Sequence, residues 1–186
     1  REAKRILKEV EEECGWMYRT LHIGASNPEQ HQIKEKWAEK IKECKTVEEI
    51  RNLINTRSLA FGTINYTVWS DVFVCPECTH EVVFWEAAVD KDAGKVHKEF
   101  PCPHCGAELT KRNMDRAWIT KYDRAIGKTI RQAKQVPVLI NYSVGKKRYE
   151  KTPDAFDLVL IEKIEDMDIP YWFSTDPMMF KGEQWG

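Results

Sequence analysis

Neither G-x-G-x-x-G nor G-x-x-x-x-G-K-[ST] occurs in these 186 residues, so no glycine-rich loop is present to cradle a nucleotide phosphate. No Ser-His-Asp or Cys-His grouping stands out as nucleophilic machinery. Asp166 and Asp168 are the nearest approach to paired carboxylates, and an acid-rich helix end is their ordinary reading. No apolar run nears the ~20 residues of a membrane span, and we expect no membrane contact. No signal peptide, low-complexity linker or long internal repeat appears. A net charge of −1 names no partner by itself. These absences leave a chain with no visible catalytic site of its own.

Cysteine is scarce, with six in all, but four fall in matched pairs: Cys75-Pro76-Glu77-Cys78 and Cys102-Pro103-His104-Cys105. The pairs are separated by 23 residues. A C-x-x-C turn aims two sulfurs at one metal, and two such knuckles close a tetrahedron. Proline at each second position stiffens the turn. Gly106 follows its knuckle where a side chain is expected to crowd the amides facing sulfur, and Thr79 holds the equivalent, less suitable place. Four thiolates fill every position of Zn²⁺, so the expected role is structural. Rubredoxin-like iron uses similar spacing and stays open, as do disulfides or free thiols. His80, His97 and His104 lie near the knuckles but are not needed as ligands. Cys14 and Cys44 are single and read as small buried hydrophobes. Without a signal peptide, a reducing cytoplasm is the expected setting.

The pattern along the chain predicts an α+β protein: short N-terminal helices, a central zinc ribbon with antiparallel β-hairpins, and a C-terminal helix. Ala3, Ile6, Leu7, Val10 and Cys14 make an amphipathic helix that Gly15 ends. Asn27 is expected to cap the next helix, with Pro28 at its first position and Gln30 completing a capping box. Its stripe is Ile33, Trp37, Ile41 and Cys44. Thr46 and Glu49 form a second box for a helix bearing Val47, Ile50, Leu53 and Ile54. From Phe61 the texture turns to β, through Phe73 and Val74 into the first knuckle. Val82 to Trp85 reads as a strand, 90–95 as a turn, and 96–100 as the return to the second knuckle. Residues 116–122 read as a strand, and 136–144 with 147–151 as a hairpin turned at Gly145. Thr152 is expected to cap a helix with Pro153 first and Phe156, Val159, Leu160 and Ile164 buried. The tail, 168–186, is aromatic and loop-like. By texture the chain divides at 1–60 (helical), 61–113 (zinc ribbon) and 114–186 (hairpin, helix, basic stretch and aromatic tail).

Charge is unevenly spread. Lys111 to Lys151 carries twelve basic and three acidic residues, a net +9 against −10 for the rest. A solvated surface is the plain reading of such a run, and a face for a polyanion is the alternative. The chain begins with Arg1 rather than methionine and ends at Gly186 with no helix stop, from which we expect a piece of a longer polypeptide.

Four stretches carry a family likeness. They are Tyr66 to Phe73 with its CPEC knuckle, CPHCGAELTKRN at 102–113, TIRQAKQVPVLINY at 129–142, and Asp168-Ile169-Pro170-Tyr171-Trp172-Phe173. Together they resemble large prokaryotic site-specific DNA methyltransferases of the amino-methylating (N6-adenine or N4-cytosine) class, most strongly over 61–173 and more weakly over 24–60. Enzymes of that class bind S-adenosylmethionine on a glycine-rich loop and hold the target amino group with an Asp/Asn-Pro-Pro-aromatic tetrapeptide. Neither motif is present: Asn27-Pro28-Glu29-Gln30 and Asp176-Pro177-Met178-Met179 both fail it. The resemblance therefore implies a zinc-bearing insertion outside the catalytic core, with S-adenosylmethionine bound by the parent enzyme and not by this segment. Only Cys75, Cys78, Cys102 and Cys105 carry over as site residues.

Two functions are expected from that position. As a DNA-contacting module, the segment would hold double-stranded DNA while the parent extrudes its target base. Arg112, Arg116, Arg131, Lys134, Lys146, Lys147 and Arg148 are the candidates for phosphate contact, with the 144–148 tip entering a groove and Trp118 or Tyr122 stacking. As a scaffold, it would pack against the parent's catalytic domain or a partner protein through helices and the aromatic tail.

Overall fold

The computed structural model describes residues 1–23, 29–56, 60–91 and 93–176. In chain order, α1 (Glu2–Cys14) runs through a 3₁₀ turn (Gly15–Tyr18) into β1 (Arg19–Leu21). Two helices follow, α2 (Gln30–Glu43) and α3 (Val47–Ile54). The knuckle region holds β2 (Phe61–Val74), β3 (Glu81–Val83), α4 (Phe84–Ala88), β4 (Val89–Asp90), β5 (Lys95–Val96), β6 (Glu99–Pro101) and β7 (Glu108–Thr110). The last part holds β8 (Asp115–Arg116), β9 (Trp118–Asp123), β10 (Lys128–Ala133), β11 (Gln135–Val144), β12 (Lys147–Lys151) and α5 (Ala155–Glu165). The fold is α+β, with every strand pair antiparallel.

β2 is the spine. At ~3.3 Å per residue its 14 residues extend about 46 Å, long enough to serve two cores. Its first part lies between β1 and β11, and β11 continues the sheet to β12. Its last residues pair with β3 and β8 beside the first knuckle. The β2–β11 register slips at Pro137/Leu139 and again at Asn141/Tyr142. Pro137 has no amide proton for the ladder, which suits a bulge, and bulges bend the long pair.

Two hydrophobic clusters result. In the first, α2 and α5 close over the sheet, burying Trp16, Leu21, Trp37, Ile41, Ile50 and Phe156. It thus joins residues from the first and last segments of the chain. The second gathers Phe73, Val82, Phe100, Leu109 and Met114 around Cys75 and Cys102. A buried polar cluster borders the first. Thr20 Oγ1 donates to Asp157 Oδ1 at 2.5 Å, and Lys151 Nζ bridges Asp154 and Asp157 at 2.7 Å each. Burial holds the Asp157 carboxyl above its ordinary range.

Several local expectations hold. Thr46 and Glu49 form both arms of the capping box. Trp37 and Ile41 are buried on α2, and β11 and β12 make the hairpin turned at Gly145. Others need correction. The strand expected to reach Trp85 stops at Val83, and α4 starts at Phe84. The helix turns Phe84 toward Phe73 and Phe100, with ring centroids 5.8 Å from each, while Trp85 N donates to buried Ser70 Oγ at 2.9 Å. The cap of α5 is Asp154, not Thr152, because Asp154 and Asp157 exchange side-chain-to-backbone hydrogen bonds. Pro153 therefore precedes the helix. Gly15 does end α1 as its C-cap, at φ −59, and leads into the 3₁₀ turn. β10 has no counterpart in the sequence reading, since Lys-Thr-Ile-Arg-Gln-Ala carries too little apolar alternation. α1 forms as read, but none of its residues is buried. Asn27, Pro28, Asp92 and the tail from Pro177, with Phe180 and Trp185, lie outside the described residues.

Candidate metal centre

Each knuckle is the turn of a short hairpin. β2 and β3 pair up to Val74↔Glu81, and residues 75–80 close the turn. β6 and β7 pair up to Pro101↔Glu108, and residues 102–107 close the other. The two turns share one hydrogen-bond pattern. Cys75 N donates to His80 O at 2.9 Å and Thr79 N to Cys75 O at 2.9 Å. Cys102 N donates to Ala107 O at 2.7 Å and Gly106 N to Cys102 O at 2.9 Å. Thr79 and Gly106 both sit in the left-handed region, at φ 59 and φ 76. Crowding is not what calls for glycine at Gly106, contrary to expectation: a Cβ there would have nothing within 4 Å, and the backbone angle is the reason. Thr79 adopts the same angle with a β-branched side chain, and its hydroxyl bonds Cys78 O at 2.7 Å.

The four sulfurs converge, all lying within 4.8 Å of one another. Cys75 Sγ is 3.8 Å from Cys105 Sγ, and Cys78 Sγ is 3.8 Å from Cys102 Sγ. Both contacts run between knuckles. A tetrahedral ion with metal–sulfur bonds of about 2.3 Å requires sulfur–sulfur edges of about 3.8 Å, so the donor set fits such an ion. A disulfide needs about 2.05 Å, and all six cysteines are free. Cys75 and Cys102 are buried and Cys105 faces solvent. His104 N lies 3.4 Å from Cys102 Sγ and donates to it.

Thiols held this close divide their charge unequally. Burial pushes Cys102 up, but amides of Cys105 and His104 and the neighbouring thiols outweigh it and bring it down to about 6. At Cys78 the hydrogen bond from His80 lowers the thiol, yet burial and the other three cysteines carry it up to about 12. The Cys102 thiolate is stabilised while Cys78 and Cys105 are held up, and a divalent cation would remove that conflict by ionising all four. No histidine belongs to the sulfur cluster. His80 and His104 instead stack on each other, centroids 4.7 Å apart, linking the two knuckles.

The basic candidates separate into two kinds. Arg116 pairs with Asp71 at 3.4 Å, and Lys134 with Glu81 at 2.5 Å. Arg131 lies over the Trp118 ring at 4.8 Å. Lys151, within the basic run, is spent on the Asp154–Asp157 cluster. Lys146, Lys147 and Arg148 are exposed at the β11–β12 tip, and Arg112 is exposed beside the second knuckle. Trp118 and Tyr122 are both exposed on one face of β9. An open groove between the second knuckle and the β9–β10 hairpin is lined in part by Lys111, Arg116, Trp118, Arg131 and Asp115. Lys111 joins this site with no local signal in the sequence, because its place at the groove depends on how β9–β10 folds back.

No protein-family model, curated protein or solved structure matches the chain. Among the described residues, no helix is long and apolar enough to cross a membrane.

Proposed function

We propose that this chain is a non-catalytic, zinc-binding region of an amino-methylating DNA methyltransferase of the cytoplasm, and that it contacts duplex DNA. The observation that carries the metal is the pair of 3.8 Å sulfur–sulfur edges between knuckles. Cys75, Cys78, Cys102 and Cys105 would hold Zn²⁺ and leave no position open for water, so the ion supplies folding energy and not chemistry. The methyltransferase assignment rests on the sequence motifs within 61–173. S-adenosylmethionine and the target base belong to the parent's catalytic domain in this reading.

DNA contact is supported by the exposed Lys146, Lys147 and Arg148 at a hairpin tip, and by the groove where Trp118 and Arg131 meet Lys111. Phosphates take the cations and an exposed indole offers a stacking surface. Fluorescence anisotropy of the chain with duplex DNA over a salt series tests it. Binding that weakens steeply with salt is expected, and no binding at low salt sinks this part.

A scaffold role is the second reading, favoured by exposed Tyr171 and Trp172. In that case the segment binds its parent's catalytic domain and not DNA. Metal content by atomic emission distinguishes zinc from rubredoxin-like iron, and oxidised iron of that type is red.

A further inference from the structure

Among the described residues, the apolar face of α1 stands outside both hydrophobic clusters. Ile6, Leu7 and Val10 are 47%, 68% and 52% exposed, although they recur at the spacing of a buried stripe. Ala3, Leu7, Val10 and Cys14 follow a 4–3–4 pattern, the seam along which two helices pair.

Charge indicates what covers this seam. The first half of α1 carries Lys4, Arg5 and Lys8 against Glu2, a net positive charge, and the second half carries only acids, Glu9, Glu11, Glu12 and Glu13. Glu2 suits the N-terminal dipole, but the net positive first half and the acidic last turn oppose the macrodipole, so the arrangement is unfavourable for a helix alone. An antiparallel copy reverses both terms: its acidic end lies beside the basic end, and the two dipoles oppose. The outer face already satisfies itself, since Arg5 pairs with Glu2 and Glu9, and Lys8 with Glu12. Lys4 and Glu11, which flank the stripe, take part in none of the ion pairs among the described residues.

We propose that α1 is a self-association helix that pairs antiparallel with α1 of a second copy of this chain. The seam sets the register. Leu7 lies against Val10 of the second copy and Ala3 against Cys14, which brings Lys4 beside Glu11 from each side. A parallel pair would set like charges together along the whole helix. The contact is small, so the dimer is weak and concentration-dependent. This inference is independent of metal identity and of DNA binding.

Sedimentation equilibrium of the purified chain, loaded with zinc, tests it. A monomer–dimer equilibrium is expected, and Leu7→Glu abolishes the dimer without changing the fold, because Leu7 has no buried contact to lose. Lys4→Glu and Glu11→Lys each weaken the dimer roughly tenfold, by turning two attractive pairs repulsive. The double variant restores it, since the pair is only exchanged. Cys14 residues would lie about 16 Å apart along the antiparallel pair, so oxidation does not cross-link them. A chain that stays monomeric at its highest soluble concentration overturns the proposal. So does a dimer that survives Leu7→Glu, a double charge variant that is not restored, or a Cys14–Cys14 disulfide identified by mass spectrometry.

Discussion

Cys75 and Cys102 open the two knuckles and are also buried members of the second hydrophobic cluster, so each would serve as ligand and as core. Replacing either with serine removes a ligand and leaves a polar group in an apolar setting. We expect Cys102→Ser to lose metal and to melt the cluster around Phe73, Phe100 and Leu109, since structural zinc supplies ~10–16 kcal/mol of apparent binding energy in small modules. A Cys102→Ser protein with full zinc content and an unchanged thermal midpoint would contradict this. Gly106 gives a subtler case. Its φ of 76 costs an alanine about 1–2 kcal/mol, yet the new methyl meets nothing within 4 Å. Gly106→Ala should therefore lower the thermal midpoint while zinc stoichiometry stays at one, as measured by calorimetry and metal analysis. Substituting a larger L-residue should cost about the same, because the penalty lies in the backbone.

Among the elements, α5 depends most on polar burial. Its first turn presents Asp157 to Thr20 and Lys151, and Lys34 approaches Asp154 at 3.4 Å. Lys151→Met would leave two carboxylates without their principal cation, and breaking a buried pair from one side costs about 3–5 kcal/mol. Urea denaturation should show that loss, and a change below 1 kcal/mol would refute the view that Lys151 holds the cluster. The same geometry shows why basic residues near one another in sequence are not interchangeable. Lys151 ends β12 and points into the fold, while Lys147 and Arg148 start it and face solvent. On α4, Ser70 Oγ receives the Trp85 amide and fixes where strand gives way to helix. Ser70→Ala should cost about 1–3 kcal/mol by stranding that amide.

For the whole molecule, the DNA reading turns on the β11–β12 tip. A triple charge reversal at Lys146, Lys147 and Arg148 should reduce the slope of log affinity against log salt by about three and leave the melting curve in place, because none of these side chains is buried. Equal affinity in the reversed protein would move the assignment to the scaffold role. β2 connects the two halves, so zinc removal and damage to the first cluster should both be felt along it. Metal chelation is expected to melt the knuckle region first, with α2 and α5 persisting, which hydrogen exchange resolves by segment.

The sequence by itself determined the α+β class, the C-terminal helix, the Thr46 capping box and the four converging cysteines. Each rests on local rules: a spacing, a cap, a periodicity of three to four. Tertiary structure alone decided the rest. It carried α5 back onto α2 to complete the first core, which no local pattern encodes. It broke the 82–85 strand into a helix because Ser70, fifteen residues earlier, captures the Trp85 amide. It divided a basic run that is uniform in sequence into cations neutralised by distant carboxylates and cations left at a tip. Among the described residues it also left the α1 stripe bare. Amphipathicity determined that α1 would have an apolar face, but whether this chain covers it depends on what folds beside it, and among the described residues neither cluster does.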